Sequence, residues 1–173
     1  MRSPVVRMTQ MEKYEERGTL EGHTEPVWCC EVFEGQLLTG SADCSIRMWD
    51  RSTLRSRMAS PGHSGPVYSL LVWRNLLLSG SEDLSIKVWE LPRLRLMHTL
   101  QGHTQTVCKL TAYQDRLISS SYQEIRVWDM NTWQCMSVLT GHSHWVRGLC
   151  VSGSTLYSAC HNMIRVWDLA SLQ

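Results

Sequence analysis

The chain carries the ingredients of acyl transfer: His63 with Ser79 and Asp83, and His23 with Asp43 and a nearby Thr39 or Ser41. In that chemistry an imidazole takes the hydroxyl proton while a carboxylate orients the ring. Two features argue against it. The set recurs along the chain, whereas a catalytic set occurs once. There is also no Gly-x-Ser-x-Gly elbow, and Gly62-His63-Ser64-Gly65 does not match one. Paired carboxylates occur only in the recurring turns, and no Gly-rich loop could cradle phosphate. The expectation is no catalytic residue and no cofactor, with a hydrolase as a remote alternative.

These residues recur with a fixed beat. Gly-His pairs begin at 22, 62, 102 and 141, and Trp stands at 49, 89, 128 and 167, so both markers repeat every 39 or 40 residues. From Gly to Trp the distance is 27, 27, 26 and 26 residues. Two independent markers in step define an array of supersecondary units. Within the first unit, Pro26–Phe33, Gln36–Ser41, Ser45–Trp49 and Leu54–Ser60 read as short β-runs separated by turn residues. The other units read alike, and only Met8–Arg17 offers a helical turn or two.

Gly-His opening each unit and Trp-Asp closing it resemble the WD-repeat family of β-propellers; the closing pairs are Trp49-Asp50, Trp89-Glu90, Trp128-Asp129 and Trp167-Asp168. The resemblance covers Gly22–Asp168. It implies an all-β fold: a WD-repeat β-propeller of four blades, each a four-stranded antiparallel sheet, forming an open arc or partial ring. The implied domain runs 13–173, with blades at about 22–60, 61–101, 102–140 and 141–173, after a poorly ordered segment at 1–12. Blade four lacks an outer strand of its own. The expectation is therefore a fragment or truncated isoform with two bare blade faces, open to self-association. Closure by Lys13–Leu20 as the missing strand, or pairing of two chains into eight blades, is the alternative.

The resemblance also assigns a structural tetrad to each blade. His23, Asp43 and Trp49 with Thr39 or Ser41, and His63, Ser79, Asp83 and Trp89, form buried hydrogen-bonded networks. His103 with Trp128 and His142 with Trp167 continue the series. The loops Ser121-Tyr122-Gln123-Glu124 and Cys160-His161-Asn162-Met163 are one residue shorter and lack the turn Asp. His103 and His142 are thus expected to lack a carboxylate, with Tyr122 or His161 filling the vacated space.

Family contact positions transfer to Pro26 and Trp28, Pro66 and Tyr68, Thr106 and Cys108, Trp145 and Arg147, and to the turn residues Ala42, Glu82, Tyr122 and His161. The candidate partner-binding set is Trp28, Tyr68, Glu82, Cys108, Tyr122, Trp145, Arg147 and His161. Trp, Tyr and Arg dominate binding energy at protein interfaces. The competing reading packs Trp28 and Tyr68 between blades. Trp73 and Trp133 read as rim residues, and His98 and His144 as solvated. A finer resemblance lies in PVWC, SADC, HWVRGL, TLYS and the shortened loops. It is to the C-terminal propeller of the RING-finger, E3 ubiquitin ligase member of the tumour-necrosis-factor-receptor-associated-factor family; the propeller of amoebal myosin heavy-chain kinases is a weaker match. It implies a non-catalytic scaffold whose partners are other proteins or peptides, among them a MAP kinase kinase kinase or a ubiquitination substrate. The RING and zinc-finger ligands are absent from these 173 residues.

Charge and cysteine usage bound the remaining classes. Seventeen Lys+Arg against sixteen Asp+Glu leave a net charge of +1, with Arg93, Arg95 and Arg126 dispersed, which argues against nucleic acid and membrane surfaces. No run approaches the roughly 18 apolar residues of a membrane helix, and Met1–Leu20 has no apolar core of a secretory signal. The seven cysteines include no C-x-x-C pair, so metal spacing is absent. They read as reduced, mostly buried thiols of a cytoplasmic or nuclear protein.

Overall fold

The computed structural model describes residues 15–171. The segment 1–12, and Lys13 and Tyr14 of the suggested closing strand, lie outside the described residues, as does most of the helical turn considered at Met8–Arg17. Residues 15–20 form no strand. Gly18 instead lies against Leu54 of blade one, where a Cβ would come within 2.5 Å of Leu54 Cδ1. Within the described residues, this stretch does not supply an outer strand to blade four.

All regular structure among the described residues is antiparallel β. Blade one comprises β1 (Val27–Phe33), β2 (Gln36–Ser41), β3 (Ile46–Asp50) and β4 (Arg55–Ser60), paired in sequence order. Blade two repeats this with β5 (Val67–Trp73), β6 (Leu76–Ser81), β7 (Ile86–Glu90) and β8 (Arg95–Leu100). Blade three begins with β9 (Lys109–Tyr113), β10 (Arg116–Ser120) and β11 (Tyr122–Asp129). The next strand, β12 (Cys135–Ser152), serves two blades: Cys135–Thr140 pairs with β11 as the outer strand of blade three, and Val146–Ser152 pairs with β13 (Thr155–Cys160) as the inner strand of blade four. Strand β14 (Met163–Asp168) ends the sheet, so among the described residues blade four has three strands.

Local chemistry sets the hairpins. Glu34 and Gly35 both adopt left-handed conformations (φ 45° and 75°), the geometry a two-residue hairpin needs to match strand twist. Burial then follows the two-residue strand period, and the apolar residues meet between blades. Leu38, Ile46 and Met48 of blade one pack on Val67, Leu70, Leu77 and Trp89 of blade two. Leu78, Ile86 and Val88 meet Val107, Leu110, Leu117 and Trp128 of blade three. Ile118, Ile125 and Val127 meet Val146, Leu156 and Leu169 of blade four. Among the described residues the outer faces of blades one and four have no such neighbour, and the four blades form an open arc.

Some expectations need correction. The cysteines are all free, yet only Cys160 is buried, while Cys30, Cys135 and Cys150 are exposed. Their sites lie on blade surfaces where small, weakly polar side chains are tolerated. Trp73 and Trp133 are not bare rim residues: both pack half-buried against the cluster between blades two and three. Trp73 carries the Arg74 guanidinium 4.1 Å from its ring, and Trp133, at φ 60°, stacks on His98.

Candidate protein-binding site

The recurring His, hydroxyl and Trp side chains form one network per blade. In blade two, Trp89 Nε1–H donates to Ser79 Oγ at 2.8 Å, His63 Nε2 lies 2.7 Å from that hydroxyl, and His63 Nδ1 lies 2.7 Å from Asp83 Oδ2. A carboxylate only accepts, so Nδ1 carries the proton and a neutral ring accepts the serine proton at Nε2. Protons thus point from indole to hydroxyl to imidazole to carboxylate. Blade one is alike, with Thr39 and not Ser41 as the hydroxyl: His23–Thr39 2.7 Å, Trp49–Thr39 2.8 Å and His23–Asp43 2.8 Å. Ser41 instead donates to the Glu25 carbonyl. Further donors hold the Asp43 carboxylate, from Ser45 Oγ at 2.6 Å and the backbone of Ser45 and Thr24.

Bond directions within this network match a hydrolytic triad, but access does not. Ser79 has no exposed surface, and neither has its counterpart in blades three and four, Ser119 or Ser158. No substrate carbonyl can approach such a hydroxyl. Burial lowers the pKa of His63, which outweighs its bond to Asp83. Burial opposes ionisation of Asp83, but hydrogen bonds from Ser85 and His63 overcome it and hold the carboxyl below its usual range. The network is a buried clamp between loops and strands.

Blade three departs from the expectation that His103 lacks a carboxylate. Glu124, one position along the shortened loop, places Oε1 2.8 Å from His103 Nδ1. The longer glutamate side chain spans the gap left by the missing residue, and Arg126 grips it through Nε at 3.0 Å and Nη2 at 3.3 Å. Blade four has no substitute: His142 retains Ser158 and, through it, Trp167, but its buried Nδ1 has no partner among the described residues. Neither Tyr122 nor His161 fills the space beside these histidines. Both are exposed and turn instead toward His144, at ring separations of 5.8 and 5.9 Å. His144 is thereby part of an aromatic group and not simply solvated.

The inner strands of all four blades end on one concave face. There Trp28, Tyr68, Glu82, Thr106, Cys108, Trp145 and Arg147 line one cavity of about 530 Å³. Six of these belong to the candidate partner-binding set. The other two, Tyr122 and His161, lie just beyond: Tyr122 meets Trp145 edge-on at 5.1 Å, and His161 joins through His144. Trp28 leans across the junction on Tyr68 of blade two at 5.7 Å, while 53% of it stays exposed on the cavity side. Tyr68 donates its hydroxyl to Glu82 at 2.9 Å, and burial together with that carboxylate raises its pKa. Burial likewise raises the Cys108 thiol, keeping it protonated against the pull of Arg147. Among the described residues Arg147 is exposed and has no carboxylate within ion-pairing distance. No cluster of three or more His, Cys, Asp or Glu suited to a metal occurs among the described residues.

Sequence reading missed three contributors. Ser119 and Ser158 stand 40 and 79 residues beyond Ser79, so the period itself marks them. Glu124 was masked by its offset from the turn Asp position; its acidity inside a shortened loop was the available signal.

Sheets radiating from a shared concave face, each clamped by a buried His-hydroxyl-Trp network, define a β-propeller scaffold. The WD domain, G-beta repeat family matches residues 14–50, 54–90, 94–129 and 133–168, and the chain belongs to it. Each of the last three matches opens at or near the outer strand of one blade and closes on the Trp of the next, so each sequence repeat straddles two blades. Members of this family are generally non-catalytic scaffolds that bind other proteins. Eukaryotic translation initiation factor 3 subunit I of Xenopus tropicalis is 43% identical over 54 residues, which is 30% of this chain. Matched stretches span 7% to 17% of such curated relatives. The designed Ika4 protein superposes with a TM-score of 0.82 at 26% identity, covering 91% of this chain and 99% of that one. The designed Ika8 protein superposes at 0.79 and 26% identity, covering 90% of this chain and 49% of that one.

Proposed function

We propose that the concave cavity captures a peptide segment of a partner protein. An apolar side chain of the peptide seats between Trp28, Tyr68 and Trp145, and an acidic group meets Arg147. One observation carries this reading: residues at or just before the starts of the four inner strands, including three large aromatics and an arginine with no ion pair among the described residues, converge on one cavity. Aromatic and arginine side chains in a shared pocket are the residue types that concentrate binding energy. The finer reading places this chain in a ubiquitin-ligase and stress-kinase setting, as the surface that holds a substrate or a kinase. It rests on the PVWC, SADC, HWVRGL and TLYS segments. Seven free thiols support a reducing, cytoplasmic or nuclear compartment.

The test is affinity capture with the immobilised chain beside its Trp145→Ala/Arg147→Ala variant, read by mass spectrometry, with thermal melts of both. The expected result is a protein set lost from the variant at a nearly unchanged melt. Identical captured sets at equal stability would sink the reading.

A further inference from the structure

Three internal junctions are built alike. At each, a fully buried valine in or just before the inner strand (Val67, Val107 or Val146) packs over a small residue of the preceding blade (Gly40, Gly80 or Ser120). A methyl group on Gly40 or Gly80 would come 2.7 Å from the valine Cγ1, and Ser120 Oγ donates to the Val146 carbonyl at 2.7 Å. Backbone bonds accompany the contact: Val107 N–H donates to the Ser81 carbonyl and Val146 N–H to the Ser121 carbonyl, each at 3.0 Å. Flanking the small residue are three apolar side chains, Leu38/Ile46/Met48, Leu78/Ile86/Val88 and Ile118/Ile125/Val127, all buried.

The ends of the arc carry the two halves of a fourth junction, unmated. Counting by the repeat, the valine of blade one is Val27, which is 51% exposed, as is Val32 on the same strand. On blade four, Tyr157, Ile164 and Val166 stand where the flanking trio stands elsewhere, exposed by 41%, 69% and 63%. Between them Ala159 occupies the small-residue position, also exposed, and the Cys160 carbonyl corresponds to those of Ser81 and Ser121. One end is a knob without its socket; the other is a socket without its knob. The exception on the first face is Arg51, exposed where Leu91, Met130 and Leu169 are buried.

We propose that two copies of this chain associate head to tail, blade one of each on blade four of the other, forming an eight-blade ring. A head-to-tail contact closes when its rotation divides the circle. Two copies supply about the length of chain found in larger structures of this fold, since the arc superposes on 49% of the Ika8 chain and 52% of U3-55K. The ring satisfies both bare faces at once, and this association is independent of the peptide-binding reading.

Sedimentation or light scattering of the full chain over a range of concentrations tests it. The expected mass is about twice the 19.9 kDa of one chain. Val27→Glu and Ile164→Glu, at exposed positions on opposite ends, should each yield the single-chain mass, with an unchanged β-sheet circular dichroism spectrum as the folding check. Should either misfold, Val32→Glu and Val166→Glu probe the same two faces. A single-chain mass for the unaltered protein at every concentration overturns the proposal and leaves the faces to other partners, further blades included. So does growth beyond two copies. Persistence of the pair in one variant alone also overturns it, because a face would then be pairing with itself.

Discussion

Glu124 Oε1 lies 2.8 Å from His103 Nδ1 and 3.0 Å from Arg126 Nε, so one carboxylate satisfies both buried groups. It takes the place of the turn aspartates of blades one and two from a different position in the chain. In blade four the equivalent residue is Met163, and there the corresponding atoms, His142 Nδ1 and Arg165 Nε, both lack a partner among the described residues.

Glu124→Ala should therefore destabilise the chain by about 1–3 kcal/mol, the cost of orphaning buried polar groups. A urea melt of the variant against the unaltered chain measures it. A change within error would mean that solvent replaces the carboxylate.

The converse substitution should stabilise. Met163→Glu places a carboxylate where His142 Nδ1 and Arg165 Nε lack one, and a gain of about 1 kcal/mol is expected. Pairing it with His142→Gln tests the mechanism: the benefit should shrink when the ring is gone, and a benefit independent of His142 would refute this account.

Acid should loosen the blades before it protonates exposed carboxylates. Burial holds His103 at about 4 against an ordinary 6.5, despite Glu124 and its charge, and Arg126 pushes the same way. A histidine with a depressed folded pKa binds fewer protons folded than unfolded. Its contribution is fully present above pH 6.5 and is lost as pH falls toward about 4, with a slope of about 1.4 kcal/mol per pH unit while it titrates. His63 and His142 are also depressed by burial and act in the same direction. Urea midpoints between pH 7.5 and 4.5 should fall steadily; a flat profile would contradict the assigned neutral rings.

Ser79→Ala should lower stability by about 1–3 kcal/mol, because Trp89 Nε1–H and His63 Nε2 both lose their shared partner. Since that hydroxyl is inaccessible, peptide capture by the concave face should stay near its original level once melting is accounted for. Binding lost out of proportion to the melt would require a role for the tetrad beyond scaffolding.

Much of the fold was written in the chain because a propeller repeats one solution. Gly-His and the closing Trp, recurring at a 39- or 40-residue interval, already mark four units of short strands in one order. The cavity was legible for the same reason: inner-strand positions two residues apart point alike on every blade, so Trp28, Tyr68, Cys108 and Arg147 had to share a face. Less legible were departures from the repeat. A one-residue deletion shifts the register of all that follows in a loop, and only the folded backbone shows that a glutamate is long enough to bridge the gap, whereas Met163 leaves it open. Periodicity specifies each blade from local contacts, but mating of the outermost faces depends on contacts that no single repeat contains. The sequence thus determined the blades and their clamps. Tertiary structure alone decided which histidines find a carboxylate and left Val27 and Ile164 uncovered at opposite ends of the arc.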